Sequence, residues 1–234
     1  MNIENEKIVV SRVTTPQGEI QLQKWMAADG RDHSIYEIIF NGVFLMASYN
    51  ELSSRAVATL AIEPLIKEKR DIRALIGGLG IGYTLRAAVD FNTVSAIDVV
   101  EINDSIIQWA KSVFTDLNGN ALSDSRVHLL HRDVKDHIMT TDTTYDAIIL
   151  DVDNGPTMLA LEDNQGLYER QFLIRMKDIL AEGGILTVWA EKECPSFHTR
   201  LEEIFGSAEV ISIQEKDRRG NPTDYYIYRT CSAT

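Results

Sequence analysis

Apolar and polar residues alternate in short runs from about residue 7 to 46, as in Glu19-Ile20-Gln21-Leu22-Gln23 and Tyr36-Glu37-Ile38-Ile39-Phe40. Pro16-Gln17-Gly18 and Asn41-Gly42 stand between the runs as turn signals. A period of two sends every second side chain to one face, so this stretch predicts a small antiparallel β module. From 53 to 67 the period lengthens, and Val57, Leu60, Ala61 and Leu65 fall on one face of a helix. Strand and helix patterns then alternate. Strands are expected near 72–77, 95–100, 126–130, 146–151 and 184–190, and helices near 82–90, 103–114, 166–181 and 196–205. The end of the chain differs, because Glu209-Val210-Ile211-Ser212-Ile213 and Tyr225-Tyr226-Ile227-Tyr228 are β-rich runs joined by Asp217-Arg218-Arg219-Gly220-Asn221-Pro222. That is a hairpin signal.

Alternating strands and helices imply a parallel sheet covered by helices, with right-handed crossovers and a ligand site at the carboxyl ends of the strands. The expected fold is therefore α/β: an N-terminal antiparallel β module over residues 1–50, then a mostly parallel, Rossmann-like sheet with a C-terminal antiparallel hairpin over 51–234. A sheet of this kind resembles that of the S-adenosylmethionine-dependent methyltransferase type.

The stretch Ala74-Leu75-Ile76-Gly77-Gly78-Leu79-Gly80-Ile81-Gly82 runs from an apolar strand through a glycine-rich turn into a helical pattern. Glycine lacks a Cβ, so Gly77, Gly78, Gly80 and Gly82 let backbone N–H groups approach a ligand where the next helix presents its unpaired amides. The spacing Gly78-x-Gly80-x-Gly82 is tighter than the dinucleotide fingerprint, which favours an adenosyl group over a pyrophosphate. An ordinary strand-to-helix turn would use the same glycines.

Three carboxylates end successive predicted strands. Glu101 lies roughly 20 residues beyond the turn, the distance at which an acid accepts hydrogen bonds from ribose hydroxyls; a solvated first-turn glutamate would also fit. Asp133 stands where a carboxylate could accept from the adenine amine, or could cap a short helix at 134–139. Asp151 closes the apolar run Ala147-Ile148-Ile149-Leu150 and enters Val152-Asp153-Asn154-Gly155-Pro156. An aspartate at the mouth of a buried strand is partly desolvated, so it could take a proton from an attacking amine, or merely organise the turn. Asp153, Asn154 and Trp189, the last at a strand end, are candidates for the acceptor pocket. The loop from 157 to 165 is long enough for a flap. His128 and His131, three apart on a strand, cannot jointly hold a metal, and no metal is expected.

Across 234 residues the net charge is −12. This argues against nucleic acid as a partner and fits a cationic or neutral small molecule. The N-terminus has neither a basic region nor an apolar segment after it, no apolar run reaches membrane-spanning length, and Cys194 and Cys231 form no framework. A cytoplasmic protein is expected.

From about residue 41 to 205 the chain resembles the spermidine synthase family of aminopropyltransferases. The resemblance runs through the glycine turn with Thr84-Leu85-Arg86, Val100-Glu101-Ile102, Ser125-Arg126-Val127 leading to Asp133, Tyr145-Asp146-Ala147-Ile148-Ile149-Leu150-Asp151, and Leu180-Ala181-Glu182-Gly183-Gly184-Ile185-Leu186. It implies that Glu101 binds the ribose, Asp133 the adenine side, and that Asp151 positions and deprotonates an amine acceptor. It also implies a homodimer and S-adenosylmethionine or its decarboxylated form as co-substrate. The family's G-G-G-D-G-G turn has Gly80 here at the aspartate, its D-S-x-D block ends in Asn154, and its Tyr-His-Glu block aligns with Ser54-Arg55-Ala56. With Gly80 and Arg55 in place, the donor's own carboxylate would be tolerated, and intact S-adenosylmethionine becomes a candidate donor. The leading expectation is transfer of an aminopropyl-type alkyl group to an amine. A small-molecule methyltransferase and a non-catalytic nucleoside-binding protein are the alternatives.

Overall fold

The structure, a computed structural model, describes residues 7–26, 34–68, 71–152, 154–156 and 162–232. Four strands, β1 (Lys7–Thr15), β2 (Gly18–Trp25), β3 (Ile35–Phe40) and β4 (Val43–Ala47), form an antiparallel sheet in chain order. The alternation seen in the sequence sets its register: Ile20 lies opposite Phe40 and Leu22 opposite Ile38, and all four are buried. Asn41 and Gly42, with φ of 48° and 80°, supply the two positive values that a tight hairpin turn needs. Helix α1 (Glu51–Ile62) follows. The helical stretch expected over 53–67 breaks at Pro64, whose ring cannot continue the ladder, and resumes only as a 3-10 turn at Leu65–Lys67.

The second sheet contains β5 (Ile72–Gly77), β6 (Val94–Glu101), β7 (Val127–His131), β8 (Tyr145–Leu150), β9 (Leu180–Ala190), β10 (Glu209–Lys216) and β11 (Pro222–Cys231). Its order is β10-β11-β9-β8-β5-β6-β7. Strands β5 to β9 pair in parallel, whereas β11 runs antiparallel to β9 and β10 antiparallel to β11, as the hairpin signal predicted. The central strands β5 and β8 are almost entirely buried, which explains why they read as continuous apolar runs. Strand β9 starts at Leu180, ahead of the expected 184, because a register shift beside Gly183 (φ 68°) lets the chain join the sheet early.

Helices α2 (Tyr83–Val89), α3 (Asp104–Ser112), α4 (Val134–Thr140), α5 (Arg170–Asp178) and α6 (Pro195–Phe205) link the strands. A 3-10 stretch at Glu162–Tyr168 takes the front of the helix expected over 166–181. Alternate residues of β5 feed two cores. Ala74 and Ile76 pack with α1, α2, α3 and the buried face of the four-stranded sheet, while Leu75 packs with α4, α5 and α6. The chain winds outward from β5 to β6 and β7, then returns to place β8 on the other side of β5. That reversal leaves a crevice at the carboxyl ends of β5 and β8, where an open α/β sheet takes its ligand.

Candidate active site

The crevice is built by the glycine turn. Gly78 has φ of 89°, and a Cβ there would lie 2.1 Å from the backbone oxygen of Asp151, so only glycine lets the ends of β5 and β8 come this close. The Asp151 amide donates to the Gly77 carbonyl at 2.9 Å, which closes the junction. Asn118 pins the turn from behind, donating to the carbonyls of Ile81 (3.1 Å) and Ala110 (2.8 Å). Gly77 and Gly82 shape the turn without walling the cavity, whereas Gly78 and Gly80 line it.

Glu101 sits at the end of β6 with 6% of its surface exposed, so it is not the solvated first-turn glutamate that its position also allowed. Its two oxygens accept from the amides of Leu79 (3.0 Å) and Asn103 (2.8 Å), tying it to the glycine turn. Burial raises its carboxyl above the ordinary range against these backbone donors. The amides of Gly80 and Ile102 also bear on it, so the carboxylate is held by the turn and by the start of the following segment.

Asp151 is half-buried and lines the same cavity. Burial pushes its carboxyl up to about 6; a hydrogen bond from the Thr84 hydroxyl opposes the shift, and the negative charge of Glu215 adds to it. A carboxylate in that range ionises at neutral pH and yet holds a proton firmly enough to act as a general base.

The opposite wall comes from the β module, chiefly Ile20, Ile38, Phe40, Phe44 and Met46. Met46 had no role in the sequence reading. Its Sδ lies 2.3 Å from where a Cβ on Gly80 would stand and accepts the Ile81 amide at 3.3 Å, so a thioether fills the place of the missing aspartate. Arg55 turns away to Asp90 (3.1 Å) and Glu51 (3.9 Å) and is not a cavity wall. No Lys, Arg or His lines the cavity among the described residues, while Glu101, Asp151 and Glu191 do. The room inferred at Gly80 for a donor carboxylate is therefore filled by sulfur, and a carboxylate there would face three acids and no base.

Trp189, at the end of β9, lines the cavity beside Tyr225, their ring centroids 5.2 Å apart. The Trp189 indole nitrogen is buried without a partner among the described residues. Asn154 also lines the cavity, but its side-chain amide donates to the Phe44 carbonyl at 2.8 Å, so it latches the loop after β8 to β4. Asp153 and the 157–161 part of the expected flap lie outside the described residues. Asp133 is not brought to the cavity. It caps α4, accepting from the Lys135 amide at 2.7 Å, because β7 is the edge strand and its carboxylate reaches its own helix first. His128 and His131 are separated, one bonded to Asp98 and the other to the Ile102 carbonyl.

Glu191 was missed. It directly follows β9, lines the cavity, and donates its amide to the Asn154 carbonyl at 3.0 Å. A strand-end acid two residues after an apolar one is the signal that could have marked it.

The fold and the site define the class as a Rossmann-like α/β protein with an acidic crevice at the switch point of its sheet, where such a sheet takes its ligand. Residues 57–206 match the spermine/spermidine synthase domain, and the chain belongs to that family. A polyamine aminopropyltransferase of Saccharolobus solfataricus is 30% identical over 160 residues, which cover 64% of this chain and 51% of that protein. One from Prochlorococcus marinus is 33% identical over 153 residues, covering 62% and 52%. The chain thus spans about half the length of the curated relatives it matches. In solved structures, spermidine synthase from Thermotoga maritima superimposes with a TM-score of 0.72 at 16% identity, over 96% of this chain and 73% of that one. A spermidine synthase in complex with the transition state analogue AdoDATO gives 0.74 at 16% identity, over 96% and 74%. These two likenesses concern the fold.

Proposed function

We propose that this protein transfers an aminopropyl group from decarboxylated S-adenosylmethionine to an alkyl amine. The observation that carries the reading is Asp151, a carboxyl raised to about 6 at the switch point, in a cavity whose charged walls among the described residues are all acidic. Such a cavity favours a donor that is cationic at both sulfur and amine, and disfavours one that also carries a carboxylate. The names of the curated relatives support the same reaction.

In the proposed step the lone pair of the acceptor amine attacks the donor carbon next to sulfur. A C–N bond forms, the C–S bond breaks with its electron pair going to sulfur, and Asp151 takes the proton the amine loses. The sulfonium supplies the driving force, and the protein supplies alignment and an unprotonated nucleophile. Glu101 holds the ribose, and the glycine turn, its amides tied to Glu101 and Met46, forms the floor beneath the donor. Asp133 is assigned to capping in place of the adenine contact. The apolar wall of the module suits a methylene chain, and Glu191, a second acid on the cavity wall, suits a second ammonium on the acceptor.

Supplying the protein with each donor and a panel of mono- and diamines tests the reading. Methylthioadenosine is the expected product, whereas S-adenosylhomocysteine would make it a methyltransferase. The homodimer is supported by β1, an edge strand that exposes Ile8, Val9, Val10 and Val13.

A further inference from the structure

Thr84 stands in the first turn of α2 with 2% of its surface exposed. Its hydroxyl oxygen is hydrogen-bonded to Asp151 Oδ2 and lies 2.8 Å from the backbone carbonyl of Ser54 in the first turn of α1. A threonine hydroxyl has one hydrogen and two lone pairs. It cannot donate to both acceptors at once.

We propose that Thr84 is a positioning residue for Asp151, its hydroxyl turning from donor to acceptor as the carboxylate takes the proton of the acceptor amine. This rests on the amine-transfer reading of the site. With Asp151 ionised, the hydroxyl donates to Oδ2, and the Ser54 carbonyl keeps its bond within the helix. With Asp151 protonated, Oδ2–H donates to the Thr84 oxygen, and the Thr84 hydrogen swings to Ser54. The Thr84 hydrogen has an acceptor in both states, and only its torsion changes. Among the described residues this is the one side-chain hydrogen bond Asp151 makes. The other charges facing it are acidic: Glu215 on β10, whose carboxylate is held by the Leu52 amide (2.5 Å) and the Ser53 hydroxyl (2.7 Å), and the cavity acids Glu101 and Glu191. None of them can donate to the carboxylate.

Thr84→Val keeps the shape and removes the hydroxyl, while Thr84→Ser restores it. The test follows the carboxyl carbon of Asp151 by NMR titration in the free protein, alongside the pH dependence of kcat/KM. The bond to the ionised carboxylate is roughly twice as strong as the bond to the neutral acid, so in Thr84→Val, which loses both, the titration and the acid limb should move upward together by about half a pH unit to one. Thr84→Ser should return both to the wild-type position, with donor KM unchanged throughout. An unmoved titration in Thr84→Val, or a serine variant that behaves like the valine one, would overturn the proposal. The titration needs no turnover. A shifted carboxyl in a protein that makes no product with any amine would leave the Thr84 coupling standing and sink the transferase reading.

Discussion

At the residue scale the proposed chemistry rests on Asp151, and its protonation would have two consequences of opposite kind. Below pH about 6 the base is protonated, so kcat/KM is expected to fall about tenfold per pH unit on the acid side. A limb near pH 4 in a pH–rate profile would mean that Asp151 is not the base. Its carboxyl is also higher in the fold than the ~3.9 of an unfolded chain. Folding therefore favours its protonated form, and that contribution is present below pH ~4 and lost as the pH rises through about 6. Asp151→Asn should cost about 10²–10⁴-fold in kcat with donor affinity within about twofold. It should also stabilise the protein at pH 8 by about 1–2 kcal/mol, and not at pH 4, as thermal melts at the two pH values would show. Asp151 could be found in the sequence because an acid closing a buried strand is rare and strand ends carry ligands. Asp133 could not be settled there, since an adenine contact and a helix cap ask for the same residue in the same place.

At the scale of elements, the glycine turn depends on one side chain that no local pattern announces. Asn118 holds the Ile81 and Ala110 carbonyls from a loop beyond α3, with 1% of its surface exposed. Asn118→Ala leaves both carbonyls unpaired and should cost about 1–3 kcal/mol in denaturant melts. Donor KM should rise with it while kcat changes little, because in the proposed reading the turn positions the nucleoside, whereas Asp151 is held by the end of β8. An unchanged donor KM would show that the turn holds its shape without this clamp. The strands of the second sheet were legible in the sequence through apolar runs and glycine punctuation, to within a few residues. Pro64 and Gly183 moved the boundaries that were not. Contacts across the crevice were hidden for another reason. Met46 over Gly80 and Asn154 on the Phe44 carbonyl exist only because the β module docks on the sheet, and they join residues far apart in the chain.

For the whole molecule, the module and the sheet act as one body around the cavity, with a shared core running from Ile20 and Phe40 to Ile76 and Trp189. The outer edge of the module remains open at β1. If a second copy covers it, light scattering at micromolar concentration will give twice the 26.3 kDa chain mass, and Val10→Lys on β1 will give the single mass with activity per chain retained. A wild-type mass of one chain would remove the dimer. The central claim concerns the donor, and it divides this family fold from an ordinary methyltransferase. Its most direct test is titration calorimetry of both nucleosides, followed by chromatography of the spent donor after incubation with a diamine. The acidic cavity predicts tighter binding of decarboxylated S-adenosylmethionine and release of methylthioadenosine. Tighter binding of the intact form with release of S-adenosylhomocysteine would contradict it.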